Sequence, residues 1–114
     1  MTPIFKIMSR DEWAAFQASG EFKGSAVDLA DGYIHFSAAD QAQETAAKHF
    51  AGRDDLVLLA LDGDALGDQL IWEPSRGGAL FPHLYRALAL NEVAASRDAP
   101  LGVDGVPQLG DLSV

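Results

Sequence analysis

Leu56-Val57-Leu58-Leu59-Ala60-Leu61 is an unbroken run of six apolar residues, and nothing else restricts the fold of this chain as strongly. The run has strand length and no alternation, so both of its faces have to be covered by other elements. It is therefore the expected central strand. The segments before it show how it can be covered. Ile4 to Met8 reads as a strand that hands directly to a helix. Ser9 is its N-cap, because the hydroxyl can accept from a first-turn amide while Glu12 reaches back to the Ser9 amide. Trp13 and Phe16 share one face of that helix, and Gly20 fits the left-handed stop position.

Residues 20–32, with Gly20, Gly24, Gly32, Asp28 and Asp31, read as a long ordered loop, a length at which loops are often functional. Tyr33 to Ser37 alternates polar and apolar, the period of a half-buried strand. Ser37 is then expected to cap a second helix through Asp40, with Ala39, Ala42, Ala46 and Phe50 as its apolar stripe. After the central run come turns at 62–64 and 66–68, then strands over Gln69 to Glu73, Phe81 to Leu84 and, more weakly, Val93 to Arg97. Strand–helix alternation followed by strands with short connections predicts an α+β fold. Its expected form is small mixed or antiparallel sheets with two short helices near the N-terminus. Residues 1–98 form the expected single domain, and 99–114, rich in Pro, Gly and Asp, a tail with little structure of its own.

The chain has 114 residues, 48% of them hydrophobic, enough to bury one core without staples. Cysteine is absent, which removes disulfides, thiolate nucleophiles and Cys-type zinc sites. The first residues carry no basic region followed by an apolar run, and no stretch approaches the ~18 apolar residues of a membrane span. The expectation is a cytoplasmic domain without membrane partners. Seventeen acidic against eight basic side chains give a formal charge of −9; that field repels a phosphate backbone, so nucleic acid is not an expected partner.

Chemistry concentrates in three segments. In a regular strand over Gly32-Tyr33-Ile34-His35-Phe36-Ser37, the side chains of Tyr33, His35 and Ser37 share one face in steps of ~7 Å while Ile34 and Phe36 enter the core. With Ser37 at a helix N-terminus, a phosphate or carboxylate could sit next to His35. In Trp72-Glu73-Pro74-Ser75-Arg76-Gly77-Gly78, Arg76 with Gly77 and Gly78 forms a possible oxyanion cradle: a fixed charge plus amides unshielded by a Cβ. Trp72 offers a stacking face or a core side chain, and Glu73 a catalytic carboxylate or a partner for Arg76. In Phe81-Pro82-His83-Leu84-Tyr85, His83 and Tyr85 share a face, so His35 and His83 could meet for proton transfer. His49 stands in the last turn of the second helix, where a cation is stabilised. No Gly-x-Ser-x-Gly elbow, helical His-Glu-x-x-His pair, P-loop or Gly-x-Gly-x-x-Gly occurs. No metal is assigned.

These segments, together with Ile4-Phe5-Lys6-Ile7, Asp28-Leu29-Ala30-Asp31 and Leu56-Val57-Leu58-Leu59, resemble a bacterial family known as domain of unknown function 952, over about residues 3–98. That family looks like an offshoot of the ADP-ribosyltransferase-like superfamily, nearest to the RNA 2′-phosphotransferases. The resemblance implies two small sheets flanking a cleft, with Tyr33-Ile34-His35-Phe36-Ser37 as the superfamily's second strand and capped helix. Lys6 stands in the first strand where that pattern has His or Arg, Glu73 is the one candidate for its late glutamate, and Arg76 and Arg86 are the available arginines. The implied ligand is NAD, ADP-ribose or another phosphorylated small molecule. The catalytic candidates are then His35, His83 and Glu73; the ligand-binding ones are Tyr33, Ser37, Trp72, Arg76, Gly77, Gly78 and Tyr85. The open alternatives are a non-catalytic module for a small molecule or a basic protein partner, and a metal-dependent hydrolase built on His35 and His83.

Overall fold

In the computed structural model, which describes residues 1–112 apart from the Arg76 side chain, the apolar run lies inside β5 (Leu56–Asp62). This strand is flanked by β1 (Pro3–Ser9) and β9 (Ala95–Asp98), and β4 (Ser37–Ala38) completes a sheet of order β4-β1-β5-β9. The lack of alternation is explained by two cores, one on each face. Val57, Leu59 and Leu61 point with Ile4 and Met8 into the first, shared with Phe16, Phe22, Ile34, Phe36, Leu84 and Leu88. Leu56, Leu58 and Ala60 point with Phe5 and Ile7 into the second, against Ala42 and Ala46. Each buried leucine contributes about 1.5–3 kcal/mol, so a polar residue anywhere in the run would open one core or the other.

A second sheet has the order β3-β7-β6, built from β3 (Ile34–His35), β6 (Leu70–Pro74) and β7 (Leu80–Leu84). β2 (Glu21–Phe22) and β8 (Leu88–Ala89) pair separately. Every pairing is antiparallel, as short connections require, so the fold is α+β with antiparallel sheets and the mixed option falls away.

The helices number three among the described residues rather than two: α1 (Arg10–Ser19), α2 (Ala26–Asp31) and α3 (Ala39–His49). The first follows its sequence signals. Ser9 Oγ accepts from the Glu12 amide at 3.0 Å and Glu12 Oε1 from the Ser9 amide at 2.9 Å, while Gly20 closes the helix at φ 80°. The second corrects the reading of 20–32 as a loop. Ser25 and Asp28 form a reciprocal cap, with the Ser25 amide donating to Asp28 Oδ2 at 2.9 Å, and Gly32 at φ 88° stops the helix after six residues.

The third helix carries a further correction. Its N-cap is Ala38, not Ser37, and the Ala38 amide donates instead to Gln41 Oε1 at 2.9 Å. The chain changes sheets at Phe36, whose amide donates to the Pro82 carbonyl at 3.0 Å. Tyr33 to Ser37 is therefore two short strands in two sheets, and its side chains do not share one face.

The last segment, 99–112, has little secondary structure but does not stand apart. Ala99 and Leu109 are buried in the second core, and Gln43 holds the backbone of Pro107 and Leu109. Among the described residues no helix is long and apolar enough to cross a membrane.

Candidate functional site

The register of the second sheet assembles the site. His35 lies directly opposite His83 across β3 and β7, and His83 lies opposite Ile71 of β6. Paired residues share a face, and so do residues two apart. His35, His83 and Glu73 therefore stand on the outer face, while Ile34 and Leu84 point into the first core with Leu70 packed against them. Tyr33 and Tyr85, at the strand ends, join the outer face. Tyr33 stacks on His83 with ring centroids 4.1 Å apart and lies 5.2 Å from Tyr85. The two imidazoles meet edge to face at 5.4 Å.

Each histidine is backed by a carboxylate. His83 Nδ1 is 2.8 Å from Glu73 Oε1, the same oxygen that accepts from the Tyr85 hydroxyl at 2.6 Å. These two contacts, the Tyr85 bond foremost, hold Glu73 below the usual carboxylate range, and the Glu73 bond pushes Tyr85 up to about 12. Burial, with Asp31 and Glu73 nearby, also raises Tyr33. Both phenols thus stay protonated donors across the neutral range.

His35 Nδ1 lies 2.6 Å from Asp28 Oδ1, and the His35 amide donates to that oxygen at 3.1 Å. Asp28 comes from α2 and is buried, with Lys6 Nζ 3.0 Å from Oδ2. Lys6 follows the parity of Ile4 and Met8, so β1 aims it through the first core toward the site, its Nζ 6.0 Å from the centroid of the Phe22 ring. Burial works to raise Asp28, but the Lys6 charge, the Ser25 amide and His35 outweigh it and hold the carboxyl low. Burial pushes the Lys6 ammonium down against the pull of Asp28. Gly24, at φ 130°, lets the backbone pass close to this pair; a Cβ there would stand 2.7 Å from Asp28 Cβ. On its other side, His35 Nε2 is 3.0 Å from Asp31 Oδ2.

Of the expected site residues, Tyr33, His35, Glu73, His83 and Tyr85 are brought together. Ser37 is not: it pairs with Phe5, on the α3 side of the four-stranded sheet, and its Oγ lies 3.0 Å from Thr45 Oγ1. It can neither cap α3 nor hold an anion beside His35. Trp72 alternates with Glu73 and so stands on the opposite face of β6, partly exposed. Gly77 and Gly78 take the left-handed conformation at φ 65° and 82°, in the turn that continues from Glu73. The Gly78 amide already donates to the Ser75 carbonyl at 2.9 Å, which leaves the expected cradle one donor short. The expected contact of the Arg76 side chain lies outside the described groups. Arg86 is held by Glu92 at 2.8 Å and by the Leu66 carbonyl at 2.9 Å, away from the histidines. Glu73 serves His83 and Tyr85.

Sequence reasoning missed Lys6, Asp28 and Asp31. Two signals were present: a lone lysine inside an apolar strand, and a Ser25-x-x-Asp28 cap followed by Gly32. Among the described residues, no group of three or more His, Asp or Glu side chains is arranged to hold a metal ion.

A family model described as a protein of unknown function, DUF952, matches residues 7–96. The X-ray structure of protein CC0527 from Caulobacter crescentus is 63% identical, with a TM-score of 0.94 over 96% of either chain. The solution NMR structure of CC0527, also 63% identical, gives a TM-score of 0.88 over 97% of this chain and 96% of that one. No curated protein matches the chain.

Proposed function

The chain belongs to the DUF952 family of proteins of unknown function, and we propose that the outer face of its second sheet is a small-molecule site where His35 and His83 perform acid–base chemistry. The observation that carries this reading is the pair of imidazoles 5.4 Å apart, each with Nδ1 on a carboxylate. A carboxylate on Nδ1 fixes the orientation and tautomer of the ring, which is what a general acid or base requires. Tyr33 and Tyr85 add ring faces for a flat ligand and protonated hydroxyls. The ligand class is drawn from the resemblance of Tyr33-Ile34-His35-Phe36-Ser37 to the second strand of ADP-ribosyltransferase-like proteins: NAD, ADP-ribose or a related phosphorylated molecule. Arg76 and the Gly77 amide are the groups this reading assigns to the phosphate, and transfer to or from such a ligand is the reaction class.

A second reading rests on charge. The site gathers three carboxylates, Asp28 on Lys6 and His35, Asp31 on His35 and Glu73 on His83, in a chain of net charge −9. Such a face also suits a cationic ligand or a basic partner without catalysis.

One measurement separates the two. Ligand at a hundred times its Kd stabilises by about 2.7 kcal/mol. Millimolar NAD or ADP-ribose should therefore raise the melting temperature by several degrees, and His35→Ala should abolish the shift. If both nucleotides are inert while a polyamine stabilises the protein at low salt, the phosphorylated-ligand reading is wrong and the second one stands.

A further inference from the structure

The two carboxylates on His35 are not equivalent. Asp28 is 2% exposed and is held by Lys6, by the Ser25 amide and by the His35 amide. It cannot leave without stranding a buried ammonium, which is the costly way to break an ion pair. Asp31 is the last residue of α2, its side chain 48% exposed, and His35 Nε2 is its ion-pair partner among the described residues, 3.0 Å from Oδ2. An exposed pair of this kind contributes little to stability and opens readily.

The Asp28 contact is a hydrogen bond and the Asp31 contact an ion-pair approach at 3.0 Å; only the doubly protonated ring carries an N–H at both nitrogens, because a neutral imidazole has one N–H and one lone pair. The doubly protonated ring presents to solvent a charged donor, aimed and held from behind by the Lys6–Asp28 pair. Asp31 stands at that donor at 3.0 Å, so an oxyanion oxygen fits there at hydrogen-bonding distance. The Tyr33 ring, 4.7 Å from the imidazole, walls one side.

We infer that the Nε2 side of His35 is the seat of an oxyanion oxygen of the ligand, and that Asp31 fills this seat in the free protein and gives it up on binding. The inference rests on the phosphorylated-ligand reading for the identity of the oxyanion, and it deepens that reading by naming the atom that is met and the internal group that competes for it. The physical consequence is a tax on affinity. A seat occupied by the chain's own carboxylate about four-fifths of the time, as a pair of somewhat under 1 kcal/mol would be, weakens apparent binding about fivefold. It also makes the site selective, since an uncharged oxygen does not displace a carboxylate from a cationic donor.

The test uses inorganic phosphate and acetate as probes, with the His35 ring followed by ¹H–¹⁵N NMR and each Kd taken from the titration. Asp31→Asn and Asp31→Ala remove the internal competitor, the alanine variant leaving no amide to take its place. Asp54→Asn, on the loop before β5, changes the net charge by the same amount as a control. The expected result is that at least one anion shifts the His35 ring signals, that both Asp31 variants bind it about fivefold more tightly than the parent, and that Asp54→Asn changes the Kd less than twofold. A response to phosphate alone assigns the seat to a phosphoryl oxygen, and a response to acetate alone assigns it to a carboxylate; either supports the seat. The inference is overturned if the three variants tighten binding equally, because net charge then suffices. It is also overturned if the His35 ring of the Asp31 variants responds to neither anion. Inert NAD and ADP-ribose alongside a responding His35 ring would remove the nucleotide reading while the seat stands.

Discussion

At the scale of single residues, the most informative atom is Glu73 Oε1, which takes bonds from His83 and Tyr85 at once. The two stabilisations have opposite pH dependence. Tyr85 has a folded value raised to about 12, so its contribution is complete below the ordinary tyrosine value near 10 and is lost as pH rises toward 12. Glu73 has a lowered folded value, so its contribution holds above the ordinary carboxylate range and is lost as pH falls through that lowered value. The chain contains two tyrosines, Tyr33 and Tyr85, and both are raised, so tyrosinate absorbance reads this site alone. Glu73→Gln should move the alkaline titration curve down toward 10, chiefly through Tyr85. A curve that stays in place would show that the Glu73 bond does not control the phenol. At this scale the sequence disclosed the reactive side chains but not their partners. Tyr33, His35, Glu73, His83 and Tyr85 stand out as polar groups on alternating strands. Lys6 and Asp28 leave only weaker signs, a lone lysine inside an apolar strand and a Ser25-x-x-Asp28 cap, and neither sign tells what the charge faces until strand and helix are packed together.

At the scale of elements, helix starts differ in how openly they are written. The Ser9–Glu12 box is a strong signal and holds as read. The Ser25–Asp28 box is harder to read because it opens a helix of only six residues, too short for apolar periodicity to show. At α3 the hydroxyl stands one residue early: Ser37 is committed to Thr45, so the cap falls to Ala38, which has no acceptor. The missing cap predicts an asymmetry. Ala38→Ser should stabilise the protein by about 0.5–1 kcal/mol, whereas Ser9→Ala should destabilise it by about 1 kcal/mol, both read from denaturant midpoints. A loss of stability in Ala38→Ser would mean that the added hydroxyl does not reach the Gln41 amide.

At the scale of the molecule, one sheet separates two cores, and the second is closed by α3 and the C-terminal segment. That segment reads as a tail because it is rich in proline and glycine, yet Leu109 is 1% exposed against the sheet. Leu109→Ala should therefore cost about 2–5 kcal/mol in chemical denaturation, the range for emptying a closed apolar site; a cost under 1 kcal/mol would mean that the segment is not part of the core. The central strand, the α+β class and the first helix with its cap were determined by the sequence alone, because each depends on neighbours a few residues apart whose periodicity or spacing has one local solution. The break at Phe36, the burial of residues 99–112 and the line from Lys6 through Asp28 to His35 were decided only in three dimensions. They arise from contacts between residues tens of positions apart, and no local preference encodes which distant groups a sheet register will bring face to face.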